Sequence, residues 1–137
     1  HGWTAGLIDG EGCVTLTGRT EKTPRASVVV SVTSIDPYMI PKLAALCGGK
    51  THRVVFKEPK HAPQNGWRLT SRWACRALCE WLTPVCIVKH QQTALVAEFC
   101  RLRMGHYGDT YTEREIEIFR QVAVLNRRKG PHRMMLK

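Results

Sequence analysis

Two glycines four residues apart, Gly6 and Gly10, stand inside the opening run Thr4-Ala5-Gly6-Leu7-Ile8-Asp9-Gly10-Glu11-Gly12, which otherwise suits a helix. At that spacing they share one helical face. The face is stripped of side chains, and a second backbone can approach it closely. Glycine costs roughly 1 kcal/mol relative to alanine inside a helix, so a pair in one short element predicts a helix built for contact with another helix. Leu7 and Ile8 lie off this face and anchor the helix to its own core. Asp9 and Glu11 fall in the last turn, where the negative end of the helix dipole disfavours carboxylates, and a bound cation is expected to offset them. Gly12 then lets the chain leave directly into the strand-like Cys13-Val14-Thr15-Leu16-Thr17.

In that strand Val14 and Leu16 alternate with Cys13, Thr15, Thr17 and Arg19, the period of a strand with one buried face. Beyond the charged connection Arg19 to Arg25, Ser27 to Thr33 repeats the alternation, with Val28, Val30 and Val32 on one side and Ser27, Val29, Ser31 and Thr33 on the other. The two strands predict an antiparallel ribbon. Asp36-Pro37 signals a helix start, carrying the stripe Met39, Ile40, Leu43, Ala44, Leu46 and Cys47 to a stop at Gly48-Gly49. Lys50 to Lys57 reads as a third strand, whose faces Lys50/His52/Val54/Phe56 and Thr51/Arg53/Val55/Lys57 are equally mixed. Gly66 to Thr70 reads as the fourth, with Trp67 and Leu69 inward and Arg68 and Thr70 outward.

A helix is predicted over 71–82, with Trp73, Ala74, Ala77, Leu78, Trp81 and Leu82 as its core side, ending at Thr83-Pro84. A second is predicted over 87–103, with Ala94, Leu95, Val96, Phe99 and Leu102 apolar. Thr112-Glu113-Arg114-Glu115 is a capping box that opens a last helix, with Ile116, Ile118, Phe119, Val122 and Leu125 as its apolar side. The order is helix, two strands, helix, two strands, then helices. It predicts an α+β fold: four antiparallel strands covered by helices on one face and open on the other.

Residues 1–137 fit a single domain with one moderate core. No apolar run approaches the length that crosses a bilayer, and no signal-peptide pattern is present, so a soluble intracellular protein with no membrane partner is expected. The chain starts without methionine and almost inside the motif, so it is expected to extend before His1. Lys and Arg number 21 against 11 acids, a formal charge of +10, which is the footprint of a nucleic-acid binder. The six cysteines form no CxxC pair, and buried free thiols in a reducing compartment are expected rather than zinc or disulfides.

The run Thr4 to Gly12 resembles the signature of the LAGLIDADG homing endonucleases, with Thr4 where the family's first leucine stands and Glu11 at its penultimate acidic position. The resemblance implies an αββαββα fold whose four-stranded antiparallel, saddle-shaped sheet lies in the DNA major groove. It implies a motif helix at about 3–11, C-terminal helices within about 85–130, and a host compartment that is an organelle or a bacterial or phage cytoplasm. A single motif implies a homodimer joined through Ala5, Gly6, Asp9 and Gly10, cutting both strands of a long pseudo-palindromic double-stranded DNA target and taking no small-molecule substrate. Glu11 and the Gly10 carbonyl would hold magnesium, for which calcium or manganese can substitute. Magnesium needs only one or two carboxylates beside waters and phosphate oxygens. Asp9 would serve a structural helix-end role. The segment Pro84 to Gln92 resembles the family's stretch in which a proline precedes an active-site lysine. Lys89 is therefore the candidate for polarising the water or stabilising phosphorane-like charge, with His90 as a competitor. Where relatives carry a glutamine near the active-site water, this chain has Ser34, which the resemblance makes a catalytic-site position of altered character.

The expected DNA readers are the outward positions: Cys13, Thr15, Thr17, Arg19, Ser27, Val29, Ser31, Thr33, Arg68 and Thr70, with Lys22 and Arg25 in the loop and Lys50, His52 or Arg53 in the third strand. Two other readings fit the same scaffold: an RNA maturase that assists intron splicing, and a non-cleaving DNA-binding regulator.

Overall fold

The computed structural model describes residues 2–18, 25–55, 63–105, 108 and 110–127. In chain order these form α1 (Gly2–Glu11), β1 (Gly12–Thr17), β2 (Ser27–Ser34), α2 (Met39–Cys47), β3 (Lys50–Val54), β4 (Gln64–Leu69), α3 (Arg72–Leu82), α4 (His90–Arg103) and α5 (Glu113–Arg127). The strands make one antiparallel sheet in the order β1-β2-β4-β3, and the architecture is the α+β one expected. Arg19, Lys22, Phe56, Lys57, Arg128 and Lys129 lie outside the described residues.

Alternation in the strands decides which side of the sheet meets the helices. Val14, Val28, Val30, Val32, Trp67 and Leu69 are all buried in one core with Ile8, Ile40, Leu43, Leu82, Val96, Phe99 and Ile118. Each such side chain is worth about 1.5–3 kcal/mol when fully removed from water. The opposite face carries Thr17, Ser27, Thr33 and Arg68, all exposed. Val29 departs from the expectation that it reads DNA. It lies on this open face but is only 5% exposed, opposite Thr15 in the register, so it packs the face instead of presenting itself.

Register settles the third strand. Lys50 sits opposite Arg68 and His52 opposite Gly66, while Thr51 sits opposite the buried Trp67 and Arg53 opposite Asn65. Directly opposed residues share a face, so Lys50 and His52 are on the open side and Arg53 is on the helix side. The sequence could not separate these faces because β3 is an edge strand on which Lys50, Thr51, His52 and Arg53 are all exposed.

Two junctions depend on glycine. A Cβ at Gly12 would lie 2.7 Å from the Ile8 carbonyl, so only glycine lets β1 leave α1 so tightly. Gly48 and Gly49 take positive φ values of 74° and 88°, and Trp67 Nε1 donates to the Gly48 carbonyl at 2.6 Å. Asp36 caps as expected, bonding the second and third amides after it, although the regular helix begins two residues beyond Pro37. Its Oδ1 accepts from the amides of Tyr38 (2.8 Å) and Met39 (3.1 Å), so the helix starts at Met39.

The core side of α3 is rotated from the expected one. Trp73 is 71% and Trp81 40% exposed, whereas Cys75, Cys79 and Leu82 are buried. Cys75 Sγ donates to the Leu69 carbonyl at 3.2 Å, and Ser71 Oγ accepts from the Ala74 amide. Helix α4 starts at His90, three residues later than expected, and its buried side holds Gln92, Thr93 and Arg103 with Val96 and Phe99, while Ala94 and Leu102 are exposed. The capping box forms as read: the Thr112 amide donates to Glu115 Oε1 at 2.8 Å, and the Glu115 amide to Thr112 Oγ1 at 3.2 Å. Arg103 is buried against Glu115 and donates to the carbonyls of Gly108 and Thr110 at 2.8 Å. It pins the α4–α5 connection.

Candidate active site and nucleic-acid interface

The two acids of α1 have separate fates. Asp9 turns its carboxylate back to its own chain and accepts three backbone amides: Ile87 at 3.0 Å, Val88 at 2.9 Å and Lys89 at 2.9 Å. Burial pushes the Asp9 carboxyl up, but these amides and the Lys89 charge outweigh that, and its pKa lies below the ordinary 3.8. Such a set of donors favours the ionised carboxylate. Asp9 thus has the structural helix-end role that the resemblance implies: its side chain is committed within its own protomer, where it fastens residues 87–89 to the end of α1, instead of reaching out to a second copy.

Lys89 completes that junction. It is 2% exposed, and its Nζ donates to the Asp9 carbonyl, at the carboxyl end of the helix where a cation is favoured. Part of the charge compensation expected from a bound ion thus comes from the chain itself. His90, the competing candidate, is exposed, and its Nδ1 lies 3.2 Å from the Ile87 carbonyl.

Glu11 is different: it is exposed, and its carboxylate makes no hydrogen bond or ion pair among the described residues. It ends α1 where the strand towards the open face begins. No group of three or more His, Cys, Asp or Glu that could hold a metal occurs among the described residues. The donors on hand, the Glu11 carboxylate and the Gly10 carbonyl, are hard oxygens. They suit a cation that takes its remaining ligands from water and phosphate.

Ser34 is partly buried, its Oγ accepts from the Asp36 amide at 3.1 Å, and it pairs with Asn65 on the helix-side register. The hydroxyl closes the turn into α2. On the same strand Thr33 faces the open side and is exposed.

The open face is ordered in rows. Cys13, Ser31, Arg68 and Lys50 lie abreast across all four strands. Thr33, Gly66 and His52 form the next row, Thr15 and Val29 another, and Thr17 and Ser27 the last. The β1–β2 half presents small hydroxyls, and the β3–β4 half presents cations and an imidazole. Thr70 follows β4 and is exposed, as is Arg25 before β2. Of the expected readers, Arg53 thus lies on the helix side of the sheet, and Val29 lies on this face but is buried in it. Sequence patterns gave no sign of the Asp9 junction, whose partners are 78 to 80 residues apart.

No family model matches the chain, and no curated protein matches it. Solved structures do. The homing endonuclease I-CvuI, in complex with its target in the presence of calcium, matches at TM-score 0.70 and 16% identity over 90% of this chain and 80% of that one. The archaeal intron-encoded homing endonuclease I-Vdi141I, complexed with DNA, matches at TM-score 0.73 and 15% identity over 90% and 82%. The LAGLIDADG homing endonuclease I-SmaMI, bound to cleaved DNA, matches at TM-score 0.64 and 17% identity over 89% of this chain but 42% of that one. The opening motif, the order of elements and these likenesses agree, and the chain carries the fold of the LAGLIDADG homing endonucleases.

Proposed function

We propose that this chain is a site-specific, metal-dependent DNA endonuclease that acts as a homodimer. The observation that carries the reading is the division of labour at the end of α1. One acid is committed to the junction that holds Lys89, and the other, Glu11, is exposed at the end of α1 with no partner among the described residues. The solved relatives of the same fold are homing endonucleases complexed with DNA, which supports DNA as the partner.

A divalent ion held by Glu11 and the Gly10 carbonyl would supply charge stabilisation on the phosphate and an acidified water. Lys89 brings a fixed positive charge to the same helix end, and the Asp9 junction holds it there without a search through rotamers. The sheet holds the duplex: Arg68 and Lys50 donate to guanine or phosphate, and the threonine and serine hydroxyls adapt to either base edge.

The dimer is supported by what α1 leaves bare. A Cβ at Gly6 or Gly10 would meet nothing within 4 Å, and both residues are exposed. Nothing within the protomer therefore offsets their cost to the helix. Trp3, Ile87 and Val88 are exposed large apolar residues, Trp3 on α1 and the other two in the segment fastened to its end.

The test is cleavage of a selected target in magnesium by the wild type and Glu11→Gln. The variant should lose at least about a thousandfold in rate, an effect of the size seen when a central electrostatic group is removed, while binding in calcium stays within about twofold. Undiminished cutting by Glu11→Gln would remove this residue from the mechanism. Binding without cutting by the wild type would favour a regulator.

A further inference from the structure

Thr33, Gly66 and His52 stand abreast on the open face. Thr33 lies one residue beyond the Gly12–Val32 pair, which ends the β1–β2 register next to Glu11 in the chain. Gly66 has no side chain to present. A methyl built there would lie 2.5 Å from Cε1 and 3.0 Å from Cδ2 of His52, and closer still to Nε2. The distal edge of the imidazole therefore lies over β4 instead of standing off the edge strand. Gly66 is not among the glycines with positive φ. What the position uses is the missing side chain and not the backbone freedom.

The result is a row with one polar ring where two side chains would normally compete. Its neighbours in the next row, Arg68 and Lys50, are donors only, whereas an imidazole can donate through one nitrogen and accept through the other. That pairing of roles is what discrimination between base edges requires. On the DNA-reading role given above, we propose that His52, laid across Gly66, reads the base pair facing this row. Gly66 then acts as a specificity-determining residue without touching DNA, because it seats the ring.

The experiment is a selection from randomised duplex DNA with the full chain, followed by binding profiles in calcium for the wild type, His52→Ala, Gly66→Ala and the double variant. Both single variants should relax preference at the same base pair by about tenfold, the double should go no further, and preferences elsewhere should persist. If Gly66→Ala lowers the melting temperature, removing the ring in the double variant should restore it, since the methyl then has nothing to meet. Uniform weakening of every sequence by His52→Ala would overturn the proposal, as would effects of the two variants at different base pairs or full additivity between them. A wild type without any preference would instead overturn the endonuclease reading, and this would be plain before any variant was compared.

Discussion

Asp9 shows how much one side chain can organise. Its carboxylate has a lowered pKa in the folded protein because three amides and the Lys89 charge outweigh burial. A depressed carboxylate contributes stability above the ordinary value of 3.8 and loses it as pH falls through that value towards the folded one. Asp9→Ala should therefore cost about 0.5–2 kcal/mol at about pH 7, the range for removing a side chain that caps exposed backbone amides. The gap from wild type should narrow at about pH 3, as read by urea denaturation at both values. The thiols give a second prediction. Burial pushes Cys75 to about 12 and Cys86 and Cys100 to about 11, and raises Cys79, while Cys13 and Cys47 are partly accessible. A disulfide reagent at about pH 8 should label only Cys13 and Cys47 in the native chain and every cysteine after denaturation, because thiolate and access are both needed. The free, mostly buried thiols were legible from their apolar neighbours. The Asp9 junction was not, because it joins residues that nothing local connects.

Among the elements, those with a local rule were read correctly. The capping box at Thr112 and Glu115 depends only on residues three apart, and Thr112→Ala should lower stability by about 1 kcal/mol, measured as a shift of the thermal midpoint. Strands β1, β2 and β4 obey their alternation because one face is apolar, and β3, an exposed edge, does not. Helix α3 was read about one residue out of phase, since tryptophan was assigned to the core and cysteine was not. The sheet instead takes Cys75 and Cys79, whose small side chains let the helix sit close, as the Cys75 contact with the Leu69 carbonyl shows. Trp73→Ser should then change stability by no more than about 0.5 kcal/mol, as for an ordinary surface site. Cys75→Leu should destabilise by about 1–3 kcal/mol through overpacking. Equal effects would return Trp73 to the core. The burial of Arg103 had no sequence signal, because its partners are carbonyls of the following connection and an acid of the next helix.

For the whole molecule, the opening motif is the most informative stretch: Gly12 is needed within the chain for the tight exit from α1, whereas Gly6 and Gly10 face open space. Gly6→Leu should leave the monomer folded, since a side chain there meets open space. It should abolish self-association in sedimentation at micromolar concentration, and intact dimers would relocate the interface. Two copies would double the formal charge of +10, so DNA affinity should fall steeply between about 50 and 200 mM salt.

The margins of the sheet carry a last implication. Asn126 of α5 donates to the Val14 carbonyl at 3.1 Å, covering the β1 side. The β3 side is only five residues long, with Lys50, His52 and Arg53 exposed among them. A short rim bearing cations on both surfaces is a poor template for strand-by-strand stacking. Concentrated preparations should accordingly form discrete particles and resist growth into amyloid-like fibrils, even though valines dominate the neighbouring β2.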